Sequence, residues 1–140
     1  MKKIAILLMF AAVLIISCGK KEVKRVSSDS KTATEAFTVL DKIRDAYLKK
    51  DIAVIEANTS SEGFRTIKSS IHPFDSATLE FTPAFVEIDG GKVTVNVSWK
   101  GAWTKGGAVQ NERGMAVFVL NGTPLKVDSI IRANPFRYPN

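Results

Sequence analysis

The sequence predicts an α+β domain in which about three N-terminal helices pack on a four-stranded, bent antiparallel meander sheet. Three observations carry this. Apolar residues recur at three- and four-residue steps between Thr32 and Pro73, the period falls to two after Pro73, and Gly-containing turns punctuate the second half. Helices followed by a run of strands give a layer of helices on one face of a sheet.

Ahead of the domain, Met1-Lys2-Lys3 is a positive n-region, Ile4 to Ile16 an unbroken apolar stretch, and Ser17 a small residue before Cys18. That is the order of a secretory signal. A spanning helix needs about 20 apolar residues, and the basic segment from Lys20 stops this run short. An uncleaved N-terminal membrane helix is the competing reading, and it leaves the cysteine at this spacing unexplained. Ile15-Ile16-Ser17-Cys18 resembles the bacterial lipobox. The resemblance implies cleavage between Ser17 and Cys18, a diacylglyceryl group on the Cys18 thiol and frequent acylation of the new amine. Two or more chains hold a protein firmly, at about 0.8 kcal/mol per buried methylene. Gly19 stands where an aspartate would favour inner-membrane retention, so the resemblance points to the outer membrane, facing the periplasm.

The organisation that follows is a signal peptide over 1–17, a lipidated cysteine with a flexible basic tether over 18–31, and a single domain over 32–140. The tether is rich in Ser and Lys without apolar periodicity, with a typical reach of about 20 Å. Cys18 is the only cysteine, so the domain has no disulfide and depends on its hydrophobic core. A sequence pI of 9.6 suggests nucleic-acid binding, but the charge lies elsewhere. Of 20 basic residues, Lys2 and Lys3 fall in the signal and Lys20, Lys21, Lys24, Arg25 and Lys31 in the tether, which leaves 13. Of 14 acidic residues, Glu22 and Asp29 precede residue 32, which leaves 12. A nearly neutral domain with no basic stripe excludes a phosphate-backbone partner. The basic tether suits an anionic leaflet, where each Lys or Arg contributes about 1 kcal/mol; a plain solvated spacer suits it equally.

Ala33, Ala36, Phe37, Leu40, Ile43, Tyr47 and Leu48 form the apolar face of a first helix from Thr32, with Asp41, Lys42, Arg44 and Asp45 opposite. Lys49-Lys50 closes its last turn, and Asp51 caps a short second helix carrying Ile52, Val54 and Ile55. Thr59 to Glu62 has capping-box spacing, and Phe64, Ile67 and Ile71 share one face of a third helix that Pro73 ends. In the first strand, Pro83 between Phe81 and Val86 predicts a kink or an edge position. Val93, Val95, Val97 and Trp99 alternate with polar residues in the second, and Gly101 predicts a bulge or bend before Trp103. Met115 to Leu120 reads as the third strand. Leu125, Val127, Ser129 and Ile131 read as the fourth, with Pro135 terminating it.

Helices first, a Lys49-Lys50-Asp51 break after Tyr47, then long bent strands closing on Leu125-x-Val127-x-x-Ile130 resemble the NTF2-like (SnoaL-like, cystatin-like) cone fold over residues 32–136. Fuller members carry a short hairpin between the second and third helices, and Ala57 to Ser61 leaves no room for one. Enzymes of that family use a carboxyl or imidazole in an apolar cavity, often with a tyrosine. Glu80, Glu87, Asp128 and Tyr47 are available, but Glu80 and Asp128 alternate out of phase with the apolar face, and no position matches a catalytic motif. His72 is the only histidine and, preceding Pro73, reads as a loop or helix-end residue. No catalytic residue, metal ligand or cofactor is assigned. Trp99, Trp103, Phe81, Phe85 and Phe118 either line a ligand cavity or fill the core, and Tyr47 joins them as a candidate for the ligand surface. Trp103, beside Gly106-Gly107, is expected to be partly exposed and to serve a partner surface.

The function expected is a membrane-anchored envelope lipoprotein, non-catalytic, that binds a partner protein or small apolar ligand. A small isomerase- or dehydratase-type enzyme and a structural subunit of an envelope complex are the alternatives.

Overall fold

The computed structural model describes residues 27–140. Helix α1 runs Ser28–Lys49, capped by Ser27, whose hydroxyl accepts the Ser30 N–H. It starts four residues before Thr32, where the apolar repeat places it. The first turn is wholly exposed, so it leaves no mark in hydrophobic spacing, and the serine cap rather than burial starts the helix. Ala36, Val39, Leu40, Ile43, Ala46 and Tyr47 form the buried face. Lys50 ends the helix in the left-handed conformation at φ 60°. Its N–H donates to the Tyr47 carbonyl and the Asp51 N–H to that of Ala46.

Asp51 caps α2 (Ile52–Ala57) by accepting the Val54 N–H, as the sequence predicts. The cap of α3 (Ser61–Ser70) is Ser60 rather than Thr59. Thr59 instead donates its hydroxyl to the Ile55 carbonyl and forms a single parallel bridge with Val127. The Ser60 N–H donates to the Val127 carbonyl and the Val127 N–H to that of Asn58. Where fuller cone folds place a hairpin, this chain ties the α2–α3 connection to the last strand.

The strands β1 (Ser76–Asp89), β2 (Lys92–Lys105), β3 (Ala108–Asn121) and β4 (Lys126–Arg132) form one antiparallel meander in chain order. Pro83 is doubly accounted for: β1 is an edge strand, and its register shifts between Pro83 and Phe85. A bulge at Gly101 does not occur. Gly101 pairs in unbroken register with Leu79 and Glu112. Its lack of a side chain makes room instead: a Cβ there would stand 2.4 Å from the Trp103 ring. Strand β3 begins seven residues before Met115, because its first half is polar and pairing with β2 alone defines it.

In β4 the register shifts opposite Val119/Leu120, with Leu120 facing Val127 and Val119 facing Ser129. Asp128 is the extra residue, and a bulge reverses the alternation beyond it. Ile130 therefore turns to the core and Ile131 is exposed, the reverse of the simple alternation. The last strand ends at Arg132, ahead of Pro135 as expected, and the chain then continues. Pro135–Arg137 forms a 3-10 turn that folds back onto the helix-facing side of the sheet, where Phe136 is fully buried.

Candidate functional site

Of the aromatics singled out from the sequence, Trp99, Trp103, Phe118 and Tyr47 are interior and Phe81 is half-buried against them, whereas Phe85, past the register shift at Pro83, is exposed and lines no cavity. Trp103 corrects an expectation: it is 0% exposed and so presents nothing to a partner. The cause is the returning C-terminal segment, which no local pattern announces. Tyr138 stacks at 5.6 Å from Trp99 and 5.4 Å from Trp103. Phe136 meets Tyr47 at 5.1 Å, Phe81 at 6.3 Å and Phe118 at 6.4 Å. The inside of the cone is occupied by side chains of the chain itself.

The polar atoms there satisfy one another. Trp103 Nε1–H donates to the Tyr47 hydroxyl at 2.7 Å, that hydroxyl donates to the Tyr138 carbonyl at 2.7 Å, and Trp99 Nε1–H donates to the Ala133 carbonyl at 2.9 Å. Burial pushes the Tyr47 phenol up to about 12, against a smaller lowering by the Trp103 hydrogen bond. A neutral phenol with its proton committed to a carbonyl is a structural group and a poor proton donor to a substrate.

The carboxylates weighed for chemistry are placed outside that interior. Glu80 is exposed and pairs with Lys100 at 3.0 Å, and Glu87 is exposed. Asp128, half-buried, accepts the Ser60 hydroxyl at 2.8 Å and so braces the α3 cap against the bulge. Among the described residues, no three His, Cys, Asp or Glu side chains gather as a metal site, and no helix is long and apolar enough to cross a membrane. Ser17 and Cys18 lie outside the described residues.

The concavity with ligand character lies at the far end of α1. A groove of about 540 Å³ runs over β1 to β3, but it is open and polar and includes both Glu80 and Lys100. A smaller pocket of about 280 Å³ is lined by Tyr47 and Lys50 at the end of α1, Ile52 and Ile55 of α2, and the segment from Ile71 to Phe74 after α3. Its wall is almost wholly apolar, with Lys50 and His72 as the groups able to carry charge, the composition expected of a small-molecule site.

Lys50 is fixed rather than free. Its ammonium donates to the Phe74 carbonyl at 2.7 Å and lies 4.9 Å from the centre of the Phe74 ring, a cation–π contact. The residue holds this position from a left-handed backbone, which costs a residue with a Cβ about 1–2 kcal/mol and a glycine almost nothing. Sequence reasoning met both ends of the pocket, as a helix break at Lys49 to Asp51 and as a loop histidine. Nothing in the 21 residues between Lys50 and His72 signals that they meet.

Solved structures share this architecture. An NTF2-like superfamily protein from Salmonella enterica serovar Typhimurium superposes with a TM-score of 0.68 at 15% identity, over 77% of this chain and 94% of that one. The chain has the NTF2-like fold. A conserved protein from Planctomyces limnophilus matches at a TM-score of 0.58 and 12% identity, over 72% of this chain and 97% of that one. No protein-family model matches the sequence, and no curated protein does. At these identities the likeness is one of fold. In this NTF2-like domain the helices lie on one face of the sheet and the pocket opens between the end of α1, α2 and the Ile71 to Phe74 segment that follows α3.

Proposed function

We propose that this protein is an envelope lipoprotein, acylated at Cys18 and held at the outer membrane facing the periplasm, whose NTF2-like domain binds a small apolar ligand without turning it over. The observation that carries the binding role is the 280 Å³ apolar pocket with two polar groups at its wall. The lipobox resemblance and the near-neutral charge from residue 32 onward support the anchoring. Helix α1 has 22 residues, a length of about 33 Å at about 1.5 Å per residue. The pocket lies at the end of this helix away from the tether, which is consistent with a ligand site held off the membrane.

Binding is tested with a neutral apolar fluorophore, N-phenyl-1-naphthylamine, and the Ile52→Asp variant. Ile52 lines the pocket and is partly exposed, so the substitution leaves the core intact while making the wall polar. Saturable enhancement in the parent that is lost in Ile52→Asp is expected; equal enhancement in both would remove the pocket from consideration. Anchoring is tested by palmitate labelling, expected for the parent and lost on Cys18→Ser.

A partner protein is the second reading, and one feature favours it. Phe85, Asn96, Val117 and Ile131 stand in one row across the outward side of the sheet. Phe85 and Ile131 in that row, with Met115 beside it, are exposed apolar side chains, and such strips mark contact surfaces. Mild detergent extraction would then co-purify a second protein that Ile131→Lys releases, and an exclusively monomeric extract counts against it.

A further inference from the structure

We infer that the pocket takes an anionic amphiphile with a short apolar chain, a medium-chain carboxylate being the simplest example; this rests on the pocket-binding reading above. The charge on the wall is one-sided. Lys50 and His72 line it, and no carboxylate among the described residues does. Of the three acids that adjoin lining residues in sequence, Asp51 accepts the Val54 N–H, Asp75 accepts the Gly106 N–H, and Glu56 is exposed and not part of the lining. A neutral apolar ligand would leave the Lys50 ammonium at the wall without a counter-charge.

Lys50 is built to meet an anion. An ammonium has three donors, and the Phe74 carbonyl takes one of them. The ring of Phe74 holds the group in place, so two directed N–H bonds remain for a carboxylate, with the exposed His72 ring beside the same pocket. A glycine is the ordinary residue for the left-handed turn at this position, and a lysine stands there with its head group turned to the pocket wall.

Volume limits the tail. A cavity of about 150 Å³ holds a benzene, so 280 Å³ accommodates a chain or ring about twice that size, below the range of drug-sized ligands. Ile52, Ile55 and Ile71 would bury the tail while Lys50 holds the head.

Calorimetric titration of the mature chain carrying Cys18→Ser, so that no acyl chain competes, decides this with three ten-carbon probes below their micelle concentrations. Decanoate is expected to bind at least about tenfold more tightly than decanol, and decyltrimethylammonium most weakly. Lys50→Met, which keeps the alkyl stem, is expected to bring decanoate to within about twofold of decanol, and His72→Gln to reduce the preference by a few fold. Decanol binding as tightly as decanoate to the parent overturns the inference and leaves the pocket standing; no binding by any of the three overturns the pocket reading itself. Should Lys50→Met fail to fold, the comparison in the parent decides alone. A final arm separates free amphiphile from membrane headgroup: sedimentation with phosphatidylglycerol vesicles that Lys50→Met abolishes while the basic tether is unchanged, without heat from free decanoate, would place the anion site on a bilayer and overturn the proposal.

Discussion

Tyr47 has both roles of its hydroxyl filled, accepting from Trp103 and donating to Tyr138. Tyr47→Phe therefore strands a buried indole N–H and a carbonyl, a loss of about 1–3 kcal/mol to be read as a lower denaturant midpoint. The same residue gives stability a pH dependence. Burial raises its phenol to about 12 in the fold, against the ordinary tyrosine value of about 10. The raised value means the folded state keeps a proton that the unfolded chain gives up first. The contribution is whole below about pH 10 and is lost as pH climbs toward 12, about 2–3 kcal/mol in all. Unfolding free energies measured between pH 9 and 12 should fall more steeply in the parent than in Tyr47→Phe; parallel curves would mean that the burial of this hydroxyl is not what they report.

Among the secondary-structure elements, helix α3 rests on β4 at closer range than side chains permit. A Cβ at Gly63 would stand 2.2 Å from the Val127 carbonyl oxygen, an atom of backbone that cannot swing aside. Gly63→Ala is expected to lift the helix and cost about 1–3 kcal/mol, despite alanine's higher helix propensity. A midpoint equal to or above the parent's would show that α3 has room. The elements themselves were legible in sequence because burial writes a period. Val93 to Trp99 alternates as a half-buried strand must, and Ile43 and Tyr47 repeat as a packed helix must. What went unread were features without a period: the exposed first turn at Ser28, the polar half of β3, and the bulge at Asp128 that reverses Ile130 and Ile131. The pocket was unread for the same reason, since Lys50, Ile52 and His72 come together only when α3 folds back.

At the level of the whole molecule, the C-terminal segment decides whether the cone is open or filled, and this explains why the sequence misplaced Trp103. Strand alternation says which face an indole takes but not what covers that face. Pro135 reads as a terminator, yet it opens the turn that carries Phe136 under Tyr47, Phe81 and Phe118. Asn134 fixes the return, accepting the Phe136 N–H and donating to the Ser70 hydroxyl, so the last residues are joined to α3 as well as to the sheet. Phe136→Ala removes a fully buried ring from the meeting point of both layers, and such truncations cost about 3–5 kcal/mol against a total of about 5–15 kcal/mol for a domain. The variant is expected to unfold at a markedly lower denaturant midpoint. Because the vacated space is walled by aromatics, it should also bind an apolar guest the size of benzene, with the guest restoring part of the lost stability in proportion to its concentration. Loss of stability without any recovery on adding benzene would mean that the layers collapse into the gap, and that the cone depends on this segment for its shape as well as for its filling.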